Sequence, residues 1–178
     1  MQKTVTQIAT NIDVLQLVQL VNSAYRGESS RRGWTTEADL LDGTRITEKA
    51  MQSTICDENT TILKLLSNND ELLGCVLLKK NAEIMYLGML TVQPTLQNAG
   101  LGKILMTDAE HFAKQRGCIK MEMTVISDRT ELIEWYQRRG YRLTGEQRPF
   151  PMNDPDFGIP KKNLHFEVME KDISNDPL

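Results

Sequence analysis

The chain has 178 residues, with 21 Lys and Arg against 24 Asp and Glu, giving a formal net charge of −3. That balance excludes a generally basic nucleic-acid binder, which needs clustered positive charge against the phosphate backbone. With 40% hydrophobic and 25% charged residues, the composition is that of one globular domain over residues 1–178, and it excludes disorder and fibre.

Three scattered cysteines, Cys56, Cys75 and Cys118, lack any CxxC spacing. They read as reduced thiols in a cytoplasmic protein, neither a disulfide framework nor a zinc knuckle. No signal peptide is expected at the N-terminus, and the most apolar window, Ile84–Val92, is too short to span a bilayer.

In chain order, a short strand is predicted over Lys3–Ile8. Asn11 then opens a helix whose apolar residues Val14, Leu17, Val18 and Val21 share one face, ending by Gly27. Residues 27–43 read as a long polar loop with one short helical turn in its final part, TTEADLLDG. Thr47 caps a second helix through about Cys56. Strands follow at Thr60–Leu66 and Leu72–Lys79 as a hairpin turning at Asn68, Asn69 and Asp70.

Ile84–Val92 is the next strand, stopped by Pro94. A helical stripe from Leu101 through Ile104, Leu105, Ala109, Phe112 and Ala113 closes at Gly117. Cys118–Ile126 alternates apolar and polar residues as a strand, and Asp128 caps a helix that Gly140 ends. Strands at Tyr141–Glu146 and Leu164–Lys171 flank a proline-rich loop, PFPMNDPDFGIP. The expected fold is therefore mixed α/β (α+β): a largely antiparallel sheet with helices on both faces and one parallel pair between the Ile84 and Cys118 strands. An exposed final strand leaves pairing into a homodimer open.

The stretch from Val92 to Lys103 carries the most chemical information. A strand entering a glycine-containing turn at a helix start leaves N–H groups pointing outward, which suits an anion such as phosphate. Gly100 and Gly102 let the backbone approach that anion, where a β-carbon would push it away. A Walker A loop fails on the letters, because Gly102-Lys103 is followed by Ile104 and no glycine stands five residues earlier. A dinucleotide fingerprint fails too, since Leu105 occupies the position of the third glycine.

What is present, V-x-P-x-x-Q-x-x-G-x-G from Val92 to Gly102, resembles the acyl-CoA pyrophosphate loop of the GNAT superfamily of N-acetyltransferases. Downstream, Glu134-Trp135-Tyr136-Gln137-Arg138-Arg139-Gly140-Tyr141 is similar to that superfamily's aromatic-Tyr-x-x-x-Gly-aromatic segment. The R-x-E-L…Y-x-R-R-G-Y pattern also resembles an uncharacterised branch of it. The two segments cover Ile84–Glu146, and the preceding hairpin and helices extend the likeness over nearly the whole chain. Where relatives start this helix with Asn, the chain has Arg129.

The resemblance implies a GNAT-like sheet splayed at the acyl-CoA site, and an enzyme using acetyl-CoA as acyl donor without metal. The acetyl group passes to a small amine or amino-acid-like acceptor by direct attack in a ternary complex. It implies a pantetheine arm beside Leu90 and Val92, with the Leu90 amide as oxyanion donor. Gln97, Asn98, Ala99, Gly100, Leu101, Gly102 and Lys103 would cradle the pyrophosphate, with Arg129 and Tyr136 also on the cofactor side. Tyr136 would act as general acid near the sulfur, and Glu122 or a water relay as base. Tyr25, Arg26, Trp34, Thr35 and Glu37 are expected at the acceptor site. Two rival readings stay open, a silent acyl-CoA-binding or interaction module and a peptide or protein N-acetyltransferase. His111 and His165 lack a third ligand at metal spacing.

Overall fold

A computed structural model describes residues 4–152, 154 and 158–174. The expected start of the first strand at Lys3, and residues 153 and 155–157 of the proline-rich loop, lie outside the described residues. The elements are β1 (Val5–Ile8), α1 (Val14–Tyr25), α2 (Gly27–Ser30), β2 (Leu41–Asp42), α3 (Glu48–Cys56), β3 (Thr60–Leu66), β4 (Leu72–Asn81) and β5 (Ile84–Val92). They continue with α4 (Leu101–Gln115), β6 (Lys120–Ile126), α5 (Thr130–Gln137), β7 (Arg142–Pro149), β8 (Ile159–Pro160) and β9 (His165–Asp172). Among the described residues no helix is long and apolar enough to cross a membrane.

Seven strands form one sheet in the order β1-β3-β4-β5-β6-β9-β7. Every pair is antiparallel except β5 and β6, as the strand, helix, strand succession requires. One correction concerns the last strand, expected to be exposed and free to pair with a second chain. It is interior: β9 is hydrogen-bonded to β6 on one side and β7 on the other, and it buries Val168 and Met169. The edge strand at that end is β7.

Two cores lie on the two faces of the sheet. On one, Leu105, Ala109 and Ala113 of α4 pack with Met121 and Met123 of β6 and Tyr136 of α5; the alanines let the helix axis approach the sheet. On the other, Leu17 and Val21 of α1 and Met51 of α3 cover Ile62 and Cys75. The Met residues at 85, 89, 106, 121 and 123 are all buried, filling core space as their apolar periodicity predicts.

Local chemistry sets most element ends. The Thr47 hydroxyl accepts the Ala50 N–H at 3.2 Å and caps α3. Asp128 does not cap α5, contrary to expectation. Its carboxylate is occupied by Lys162 Nζ at 2.6 Å and Ser127 Oγ at 3.3 Å, and Arg129 takes the N-cap position. In the 27–43 segment a short helix, α2, stands at the start, and the turn expected in TTEADLLDG is present as one turn, with Leu40 and Leu41 both donating their N–H groups to the Glu37 carbonyl at 2.9 Å. It goes no further because residues 41–42 form a ladder with Ile159–Pro160, Leu41 opposite Pro160.

Candidate active site between the splayed strands

β5 and β6 pair only from Ile84 opposite Lys120 to Tyr86 opposite Glu122, although β5 runs on to Val92 and β6 to Ile126. Beyond Tyr86 the strands part. On its other side β5 carries a bulge against β4, since Thr91 faces Cys75 while Gly88 already faces Leu77. The extra residue has a physical signature, a positive φ of 50° at Met89. It also switches parity: Met85 and Leu87 point to the α4 core, Met89 to the α1 core, and Leu90 and Val92 back to the first.

Side chains pin the bulge. Thr91 Oγ1 donates to the Met89 carbonyl at 2.9 Å, and Tyr25 Oη to the Leu90 carbonyl at 2.6 Å. Because a trans peptide sets its N–H opposite its C=O, fixing the Met89 carbonyl also fixes the direction of the Leu90 N–H. Burial, reinforced by the nearby Glu37 carboxylate, pushes the Tyr25 phenol up to about 12, so Tyr25 is a permanent donor.

Two cavities flank this fork. The first, about 260 Å³, lies between the glycine loop and α5. Its lining includes Val92, Gln97, Asn98, Gly100, Gly102 and Lys103 on one side and Trp34, Thr35, Trp135, Tyr136 and Arg139 on the other. Asn98 and Gly100 both take left-handed conformations, φ 75° and 82°. Within the turn, Lys103 and Ile104 donate their N–H groups to the Gly100 carbonyl. Among the described residues the amides of Leu101 and Gly102 have no main-chain acceptor.

A β-carbon built on Gly100 meets nothing within 4 Å, so that space is open in front of the helix start. Gly102 is crowded for a different reason. A β-carbon there would lie 3.3 Å from Trp135 Cζ2, against the protein's own side chain. Ala99 and Leu101 are absent from the lining. Gln97 turns inward: its Oε1 accepts from Trp34 N at 2.8 Å and Thr35 N at 3.3 Å, while its Nε2 donates to Thr35 Oγ1 at 2.7 Å. Gln97 thus ties the polar loop after α2 to the glycine turn, which puts Trp34 and Thr35 on the first cavity.

The second cavity, about 570 Å³, opens on the other side of the fork. Arg26, Glu37 and Arg129 line it, with Arg45, Thr124, Arg148 and Phe150. Glu37 sits between Arg26, with which it forms a direct ion pair, and Arg129, whose Nη1 is 3.9 Å from Glu37 Oε1. Arg129, expected beside a cofactor, therefore lines the second cavity and not the one that holds the glycine turn. Glu122 is outside both linings, and Arg148 holds its two oxygens at 2.9 and 3.3 Å.

The cavities share Tyr25, Leu90, Leu132 and Tyr136. Tyr136 is 6% exposed, and burial raises its phenol well above the ordinary range. The ring is packed edge-on against Trp135, centroids 5.1 Å apart, and near Tyr141 at 6.0 Å.

Sequence reasoning missed Trp135 with Arg139, whose guanidinium lies 3.3 Å from the Trp135 ring centroid; their i, i+4 spacing across the end of α5 was the available signal. It also missed Thr91, a lone buried hydroxyl in an apolar strand, and Arg45 and Arg148. Those two arginines are brought to the cavity only by tertiary structure. Among the described residues no three His, Cys, Asp or Glu side chains converge as a metal site.

Comparison with known proteins places this geometry. The chain is similar to an uncharacterized protein, YdhI, of Bacillus subtilis (strain 168), 29% identical over 101 residues. That match covers 54% of this chain and 59% of that curated relative's length. In structure it is similar to the ribosomal-protein-S18-alanine N-acetyltransferase of Escherichia coli (TM-score 0.71, 16% identity, 98% of this chain and 97% of that one). It is also similar to the PaiA N-acetyltransferase of Thermoplasma acidophilum, solved in complex with coenzyme A (TM-score 0.69, 16% identity, 96% and 99%). A third similar structure is an N-acetyltransferase from Staphylococcus aureus Mu50 (TM-score 0.72, 12% identity, 97% and 99%). At these identities the structures speak to the fold. The family model, however, matches residues 17–141, from the first helix through the glycine turn to the end of the aromatic segment on α5, and on that match the chain belongs to the acetyltransferase (GNAT) family.

Proposed function

We propose that the protein is an acetyl-CoA-dependent N-acetyltransferase that acts on a small amine or amino-acid-like acceptor by direct attack in a ternary complex. One observation carries the reading: two cavities on opposite sides of the β5/β6 fork meet at Tyr25, Leu90, Leu132 and Tyr136. Donor and acceptor can enter from different sides and touch only there.

The residues present fit an acyl-CoA. The space that a β-carbon at Gly100 would fill is open, and the first amides of α4 stand without main-chain acceptors. Asn98, Gly100, Leu101, Gly102 and Lys103 would hold the pyrophosphate at that helix start, and the unpaired run of β5 at Leu90 and Val92 would face the pantetheine arm. Acetyl-CoA supplies the activated acyl carbon. The buried Nε of Arg139, which has no partner among the described residues, is a further donor beside this cavity.

In the reaction the amine nitrogen bonds to the acyl carbon, the carbon–sulfur bond breaks, the amine loses a proton and the departing sulfur gains one. The Leu90 N–H, held in direction by Thr91 through the Met89 carbonyl, donates to the carbonyl oxygen as it gains charge, a role worth roughly 3–4 kcal/mol. Tyr136 supplies the sulfur's proton. Its burial makes the phenolate costly, but the same dry surroundings penalise any departing anion, so the proton stays in place until that charge develops. Water in the wide second cavity takes the amine proton, since Arg148 engages both oxygens of Glu122.

The test is CoA release on a panel of amines, amino acids, polyamines and aminoglycosides, alongside calorimetry with acetyl-CoA. Turnover of at least one amine is expected. Binding of acetyl-CoA with no turnover across the panel would replace this reading with that of a silent acyl-CoA-binding module.

A further inference from the structure

The second cavity has a charge pattern that the transfer chemistry alone does not require. Among the described residues its lining carries four arginines, Arg26, Arg45, Arg129 and Arg148, and one carboxylate, Glu37. Glu37 is already engaged by Arg26, and Arg148 is held from outside the lining by Glu122 and Glu146. Arg129 is different. It is 4% exposed, donates from Nε to Glu131 Oε1 at 2.7 Å and from Nη1 to the Thr35 carbonyl at 3.3 Å. Its Nη2 is buried and has no acceptor among the described residues.

We propose that the acceptor is a primary amine that also carries a carboxylate, an apolar α-amino acid, and that Arg129 Nη2 binds the carboxylate while the amine reaches the fork; this rests on the acetyltransferase reading. A buried guanidinium nitrogen without an acceptor is costly to maintain. The atom's orientation is nevertheless fixed, because Glu131 and the Thr35 carbonyl hold the other two nitrogens. A carboxylate would satisfy the donor with the planar geometry that guanidinium recognises. A polyamine carries no carboxylate and so leaves the Arg129 Nη2 donor without an acceptor. Phe150 and Phe166, centroids 5.1 Å apart, together with Met123 and Ile126, give the cavity an apolar side suited to a hydrocarbon or aromatic side chain.

The test uses the intact protein with acetyl-CoA and matched substrates: phenylalanine, phenylalaninamide, phenethylamine and a tripeptide beginning with Phe, and the same set built on leucine. The wild type should show kcat/KM about 10- to 150-fold higher for the acid than for the amide, the range for losing a hydrogen bond between charged groups. The comparison is conservative. The amide's amine has the lower pKa and is more often neutral, so it would win if the carboxylate did not count. In Arg129→Lys and Arg129→Gln the acid-to-amide ratio should collapse toward one, with the loss falling mainly on KM for the acid. A merely structural role would lower both substrates together and keep the ratio.

Equal kcat/KM for acid and amide in the wild type, a tripeptide as good as the free amino acid, or a preserved ratio in the Arg129 variants overturns the proposal. If both variants fail to fold, the wild-type ratios decide it. Calorimetry separates the two levels of failure. Acetyl-CoA that binds while no carboxylate-bearing amine is acetylated overturns the acceptor assignment alone, whereas acetyl-CoA that does not bind overturns the acetyltransferase reading and this proposal with it.

Discussion

The two cavities that meet at Tyr136 are built in opposite ways. The first is built round backbone: one uninterrupted segment, residues 92–103, supplies its glycine turn, where N–H groups point outward and β-carbons are missing, and Trp34, Trp135, Tyr136 and Arg139 close it opposite. The second is made of side chains from α1, β5, β6, β7 and the loops after α2 and before α5. A backbone site is set by conformation, which suits the pyrophosphate that the proposed function places there. A side-chain site is set by identity, which suits the acceptor that the proposed function places in the second cavity.

Breaking the junction itself should have the largest effect. Tyr136→Phe keeps the ring packed on Trp135 and Tyr141 and removes only the hydroxyl, so kcat should fall by roughly 10²–10⁴-fold with the acetyl-CoA dissociation constant nearly unchanged. Steady-state kinetics under conditions where chemistry is rate-limiting, with a thermal melt as control, checks this. A normal kcat would remove Tyr136 from the reaction and leave solvent as the proton source.

The backbone character of the first cavity is tested next, at Gly100. Valine there confounds strain with blockage, because φ is 82° and a β-branched residue resists that conformation. Asparagine tolerates it. Gly100→Asn should therefore fold normally yet bind acetyl-CoA about 30- to 150-fold more weakly, as expected for losing charge-assisted hydrogen bonds worth roughly 2–3 kcal/mol. Near-normal affinity by calorimetry would mean the open space in front of α4 is not the pyrophosphate site. A smaller effect is expected at Gln97, whose side chain joins the polar loop to the turn through Trp34 N and Thr35. Gln97→Ala should loosen Trp34 and weaken acetyl-CoA binding by about 3- to 10-fold through the loss of roughly 1 kcal/mol of net hydrogen bonding. Trp fluorescence of the free protein should report the loosening directly, and unchanged fluorescence and affinity would show that the loop is held by packing alone.

The contrast also explains what could be read in the sequence. The Ile84–Val92 strand and the helix from Leu101 were legible to the residue, because Pro94 and the glycines act on their immediate neighbours. The second cavity was legible only in part. Tyr25, Arg26 and Glu37 stood out in a polar stretch, but Arg45 and Arg148 reach the cavity through tertiary structure. Arg129 was reached only by analogy, and its place in the second cavity is set by the loop before α5. Strand order escaped for a similar reason: the alternation in Leu164–Lys171 says that one face is buried, not that the strand sits between β6 and β7. The bulge at Met89 was hidden because an apolar run on a sheet buried on both faces shows no parity to be broken.

That bulge provides the last and smallest prediction. Thr91 is 1% exposed and its hydroxyl donates to the Met89 carbonyl, so it touches neither donor nor acceptor and acts only as a positioning residue for the Leu90 N–H. Thr91→Val keeps the shape and removes the donor, leaving the Met89 carbonyl without that bond at a cost of about 1 kcal/mol in stability. If the Leu90 amide stabilises the developing oxyanion, the freed 89–90 peptide can rotate away from its aim. The variant should then lose about 3- to 10-fold in kcat, a fraction of what removing such a donor outright costs. Acetyl-CoA affinity should hold, because the glycine turn is untouched, and so should acceptor KM. The split between kcat and KM is what separates positioning from a general loosening of β5, which would raise both constants for binding as well. An unchanged kcat with the expected drop in melting temperature would show that the peptide keeps its aim without the Thr91 hydroxyl, and that Thr91 serves stability rather than the reaction.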